Sequence, residues 1–150
     1  MSDSIRKRIG KPTLIAGLCG AIGLAAGFFG GHGLAQVAPP TEHKGLSVKL
    51  LGTIPRELIE KAVGLKGHQL MVRALTVAPG GQIAKHDHVG RPGLVAMTSG
   101  ALVDGRESGE KTHTAAGGEA IIEDENTVHW LFNRTDEPAT AILCDLRPPK

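Results

Sequence analysis

From Leu46 onward the chain is cut at short intervals by residues that favour turns: Ser99-Gly100, Gly105 to Gly109, Gly117-Gly118, Asp124 to Asn126 and Thr135 to Pro138. The stretches left between them are Leu94–Thr98, Ala101–Asp104, Lys111–Ala115, Glu119–Asp124, Val128–Asn133 and Ala139–Leu146, with Leu46–Leu51 and Gln82–His88 upstream. None has room for a multi-turn helix, and many short strands punctuated in this way mean an antiparallel sandwich or barrel. His68–Ala78 places Leu70, Val72, Ala74, Thr76 and Ala78 on one face and Met71, Leu75 and Val77 on the other, which predicts a strand buried on both sides. Pro79-Gly80-Gly81 is expected to end it in a turn. Pro55–Val63, followed by Gly64, is the sole helical candidate of this region.

The N-terminus differs in kind. Arg6, Lys7, Arg8 and Lys11 precede an uncharged run, residues 13–31, rich in Ala, Gly, Leu and Ile. A basic start before an apolar run reads as a secretory signal or a membrane anchor. Gly33-Leu34-Ala35 offers a cleavage site after Ala35, and a run of this length also matches the roughly 20 residues a membrane helix needs. Both readings expect an N-terminal hydrophobic helix over residues 1–35, a linker over 36–45, and a domain over 46–150 on the periplasmic or extracytoplasmic side. That domain is secreted if the segment is cut and held in the inner membrane by residues 13–31 if it is not.

Charge and composition narrow the partners. The chain has 17 basic and 15 acidic residues. Residues 1–35 hold four of the basic residues and one of the acidic, so 13 face 14 in the remainder, a net of −1. Such a domain has no basic excess for nucleic acid. Cys144 alone remains beyond Cys19, which excludes an internal disulfide. Trp130 and Phe132 are its only aromatic residues, too few for a stacking platform.

The chemistry is carried by histidines. His86 and His88 lie two apart in a strand, so both imidazoles point one way and Asp87 the other. Two neutral imidazoles on one face suit Zn, Fe, Cu, Ni or Mn, whereas ordinary surface histidines at a strand end would show the same spacing. His129 follows on a later strand. Around these residues stand Gly80, separated from His86 by five residues, and Gly100; then Gly118, His129 and Asn133. The glycines, histidines and asparagine keep the spacing of the two motifs of the cupins, and residues 68–146 resemble that superfamily. The resemblance implies a double-stranded β-helix, or jelly-roll barrel, with one divalent metal ion inside it on His86, His88 and His129.

The match departs from the cupin pattern in two motif positions. The glutamate of the first motif should stand at 92 or 93, where this chain has Pro92-Gly93; the Pro-x-Gly of the second is Asp124-Glu125-Asn126. Asp and Asn serve a turn equally well. The missing glutamate removes a common fourth ligand, so Gly93 is expected to leave space for water or substrate, and Gly93→Glu to tighten metal binding. Gln82 is expected to share the face of His86 and support the site. Arg91 is placed beside the mouth, where it either attracts an anionic ligand or is a plain surface charge. His43 falls in the linker, His68 and His113 are expected to be exposed, and Glu119, Glu123 and Asp124 could offer a carboxylate, although acids near turns are usually solvated.

Two classes of function follow. The resemblance implies a mononuclear non-haem metal enzyme, dioxygenase-like or isomerase-like, acting on a small organic molecule; the alternative is a non-catalytic module that binds a small ligand or the metal itself. A homodimer is also compatible with it, as is contact with the membrane through an uncleaved N-terminus. No nucleophile–base pair and no phosphate-cradling glycine loop is visible.

Overall fold

The computed structural model describes residues 38–148. The expected N-terminal hydrophobic helix, the signal or anchor and the cleavage site lie outside the described residues, among which no helix is long and apolar enough to cross a membrane. The described residues form eight strands: β1 Lys44–Ile54, β2 Gln69–Asp87, β3 Gly93–Ser99, β4 Ala101–Arg106, β5 Gly109–Thr114, β6 Ile121–Glu123, β7 Val128–Phe132 and β8 Ala139–Arg147. One short helix, α1 Arg56–Val63, follows Pro55 and stops at Gly64, whose φ of 73° is the left-handed ending that glycine favours. The all-β expectation and the single helix are therefore both found.

All pairings are antiparallel, in the order β5-β4-β7-β2-β8-β3-β6, with β1 beside β2. Pro79-Gly80-Gly81 does not end a strand. β2 runs through it, and its N-terminal half pairs with β8 while its C-terminal half pairs with β7. Gly80 takes φ +64°, and the corner is tied down by Asn133, whose backbone bonds Gly80 and Gly81 and whose side chain donates to the Val77 carbonyl at 2.9 Å. The turn-forming residues thus bend a long strand rather than interrupt it.

That bend lets the sheet curl over itself. Leu102 of β4 and Ala139 of β8 are separated by two strands in the sheet, yet they share one buried cluster with Val77, Ile83 and Leu131. A second cluster, Val95, Ile121, Ala141 and Leu143, continues the interior. Each fully buried Val, Leu or Ile contributes about 1.5–3 kcal/mol, so these two clusters hold the curl closed.

β1 begins at Lys44, two residues ahead of the expected domain start. The residues before it pack as well: the Pro40 carbonyl accepts from the Lys85 amide at 2.8 Å and His43 Nδ1 from the Ala84 amide at 3.0 Å. Those two amides are freed by a bulge in β2. Ile83 pairs with Leu131 and His86 with His129, so β2 spends one residue more than β7 across this stretch.

Candidate metal centre

The bulge reverses the alternation of β2. Ile83 and His86 both face the interior, and Gln82, expected beside His86, points elsewhere and donates to the Glu42 carbonyl. The bulge also leaves the Ala84 carbonyl within reach of His86, which donates to it from Nδ1 at 2.8 Å. A carbonyl can only accept, so this bond fixes the tautomer and leaves the Nε2 lone pair of His86 free.

His88 follows the end of β2, and β7 carries His129 directly opposite His86. The three ring centroids lie 4.7, 4.9 and 5.1 Å apart. His88 and His129 are 2 % and 1 % exposed. One nitrogen from each of the three rings falls within 4.8 Å of the others, and His88 Nε2 stands 3.1 Å from His129 Nε2. The sequence spacing thus brought together the three residues it singled out, and such a cluster could hold a metal ion.

Two carboxylates complete the surroundings. Asp104, 2 % exposed on β4, accepts from His129 Nδ1 at 3.0 Å and binds Arg106 through its other oxygen. Burial pushes the Asp104 carboxyl up, but the bonds from His129 and Arg106 outweigh it and hold the group below its ordinary range. His113 is partly buried rather than exposed, with Nε2 3.7 Å from the same carboxylate. Asp104 was not singled out in the sequence, although a carboxylate in the apolar run Ala101–Val103 is the kind of residue that needs a buried partner.

Glu123 is the second. It was expected to be solvated and is 4 % exposed. Alternation from Ile121 puts it on the inner face of β6, which the turn at Asp124 masks in the sequence. Its Oε2 lies 3.2 Å from His88 Nδ1 and its Oε1 3.5 Å from His129 Nε2. Neither Glu123 Oε2 nor His88 Nδ1 makes a hydrogen bond. Burial pushes the Glu123 carboxyl above its ordinary range. Burial likewise lowers His86, and drives His88 down to about 3, so these rings are neutral at ordinary pH.

Gly93 offers no vacant place. It pairs with Glu123 on one side and Asp145 on the other. A Cβ there would meet Asp145 Cβ at 3.1 Å and Leu143 Cδ1 at 3.2 Å. The expectation that Gly93→Glu would tighten a metal is corrected on that ground: the added side chain must first displace close-packed neighbours.

Behind the histidines a cavity of about 290 Å³ opens, lined by apolar Val48, Leu75, Val95 and Leu143 and by Arg73, Arg91 and Arg147. Arg91 stands beside the imidazoles, held by the Asp87 carbonyl. Arg73 pairs with the buried Asp145 at 2.7 Å, and Arg147 reaches the same oxygen at 3.4 Å.

No family model and no curated protein matches the chain. Solved structures do. A cupin domain from Bordetella pertussis aligns with a TM-score of 0.52 at 18% identity, over 71% of this chain and 98% of that one. The cupin domain of an XRE-family transcriptional regulator from Enterobacter cloacae gives 0.51 at 16% identity, over 71% and 100%. A cupin-superfamily sugar phosphate isomerase from Silicibacter pomeroyi gives 0.50 at 23% identity, over 73% of each. The described residues have the fold of a small cupin.

Proposed function

We propose that this chain is an exported cupin holding one divalent metal ion on His86, His88 and His129 and taking a small anionic organic molecule into the adjoining cavity. One observation carries the metal. With Nδ1 protonated, His129 turns its Nε2 lone pair toward His88 Nε2. If His88 is protonated on Nδ1, two lone pairs oppose each other at 3.1 Å; if on Nε2, its Nδ1 lone pair faces the carboxylate of Glu123. A cation among the Nε2 atoms, with the His88 proton on Nδ1, satisfies every group in a buried place where unmatched polar atoms are costly. The donor set therefore fits a borderline metal such as Zn, Fe, Ni, Cu or Mn.

Such a metal supplies Lewis acidity, and iron or copper redox chemistry as well. The chain's part is positioning. Asp104 and the Ala84 carbonyl fix two rings, the apolar part of the lining offers contact to a ligand's carbon frame, and Arg91 places positive charge beside the imidazoles for a carboxylate or phosphate. The isomerase from Silicibacter pomeroyi, whose substrate class is such an anion, supports this polarity of ligand. A mononuclear non-haem enzyme, dioxygenase-like or isomerase-like, is the catalytic form of the proposal. A non-catalytic binding module is the second reading. It is favoured by Arg73, Arg91 and Arg147 of the cavity lining, which hold charge but do not shuttle protons, and by His43, tied to the Ala84 amide; Glu123 is the lining's one carboxylate. Export rests on the basic start and the apolar run over 13–31.

The test is a panel of small carboxylates and sugar phosphates offered to the metal-loaded full chain, with binding, oxygen uptake and isomerisation measured in parallel. Binding with turnover that His86→Ala abolishes supports the enzyme. Binding without turnover supports the module. Equal binding of neutral and anionic molecules, unchanged in Arg91→Gln, overturns the anionic ligand.

A further inference from the structure

The first cupin-like motif lacks its carboxylate, and the fold supplies another from a different strand. Position 93, where the glutamate is missing, is glycine, and its cross-strand partner on β6 is Glu123. A glycine here leaves no side chain to compete for the interior, while the partner strand turns a long acidic side chain into it. Glu123 is 4 % exposed, its Oε2 bonds nothing, and its two oxygens stand 3.2 Å from His88 Nδ1 and 3.5 Å from His129 Nε2. The latter spacing is that of neighbouring ligands around one ion, whose bonds to nitrogen and oxygen are each about 2.0–2.2 Å.

We propose that Glu123, on β6, supplies an anionic oxygen ligand to the cation held by His86, His88 and His129, in the role for which the first motif carries no carboxylate. The inference rests on the metal reading above. It converts a neutral three-histidine set into one with a negative charge, which shifts the preference toward Mn relative to what imidazoles alone would select. It also accounts for a carboxylate kept in an apolar interior, where an isolated one is costly: Oε2 lies against His88 Nδ1, and Oε1 faces the Nε2 of His129 beside which the cation would sit. Glu123 is a metal-binding residue here, distinct from Asp104, which meets the three histidines at the far nitrogen of His129 alone.

The experiment compares the full-length protein with Glu123→Gln and Glu123→Ala, each loaded with Co(II) or Mn(II). Affinity is read by chelator competition and coordination number by X-ray absorption. The expected result is a loss of more than about 100-fold in both variants, beyond the 10–100-fold typical of a residue that only orients a ligand. The Ala variant should also show one light-atom ligand fewer, with the imidazole signal intact. Metal-free melting separates this from misfolding: removal of a buried, unbonded carboxylate should leave the melting temperature equal or higher. Wild-type affinity in Glu123→Ala, or an unchanged coordination number, overturns the inference while leaving the three-histidine site standing. Wild-type protein that binds no metal overturns the metal reading itself.

Discussion

At the scale of single residues, the centre is a set of side chains whose tautomers are fixed from behind. The Ala84 carbonyl orients His86 and Asp104 orients His129. Asp104→Asn is accordingly expected to weaken metal binding about 10–100-fold without unfolding the protein, measured by chelator competition beside a thermal melt; unaltered affinity would remove Asp104 from the site. Protonation gives a second expectation. His86 and His88 are held below their unfolded values, so in metal-free protein the unfolded state binds more protons than the folded one between about pH 6.5 and His88's value of about 3. Their contribution therefore falls as pH drops through that window. Glu123, raised when folded, acts in the opposite sense: its contribution is lost as pH rises from its unfolded value through the folded one. Metal-free melting temperatures should decline from pH 7 to pH 5, and more steeply in Glu123→Gln, where the opposing group is gone. A flat profile in both proteins would contradict these environments.

At the scale of elements, the bulge and the corner in β2 do most of the positioning. The bulge turns His86 inward beside Ile83, and the corner carries β2 from β8 to β7, where His129 waits. Close packing behind β7 holds that strand in place. Gly105 lies opposite Trp130, and a Cβ on Gly105 would come within 2.2 Å of the indole nitrogen. Gly105→Ala should therefore cost at least about 1–3 kcal/mol by overpacking, seen as a lower urea midpoint; a wild-type midpoint would show that the indole moves aside freely. Strand identities were legible in the sequence because turn residues bound them, and the histidine pair was legible because its spacing matches the strand repeat. The bulge was not, since an extra residue opposite β7 depends on pairing across the sheet. Gln82 was consequently assigned the wrong face, and Pro79-Gly80-Gly81 was read as an end where it is a bend. Asp104 was missed, and Glu123 was named as a carboxylate but weighed as solvated, for a related reason: a carboxylate near a turn or in a short strand looks solvated until the curl of the sheet buries it.

At the scale of the whole molecule, the sequence joins two stretches of different composition. The described residues form a curled antiparallel sheet with a cupin fold, and the basic, apolar N-terminus assigns that fold to the far side of a membrane under the proposed reading. A reporter active only after export, fused after residue 45, should be active; an inactive, cytoplasmic fusion would sink the export proposal. The central claim, that the three imidazoles converge on one ion, is tested most directly by elemental analysis of the purified full-length protein and of His129→Ala. About one divalent metal ion per wild-type chain and background levels in the variant are expected. Wild-type protein free of metal after reconstitution, or a His129→Ala variant that keeps its metal, would contradict it.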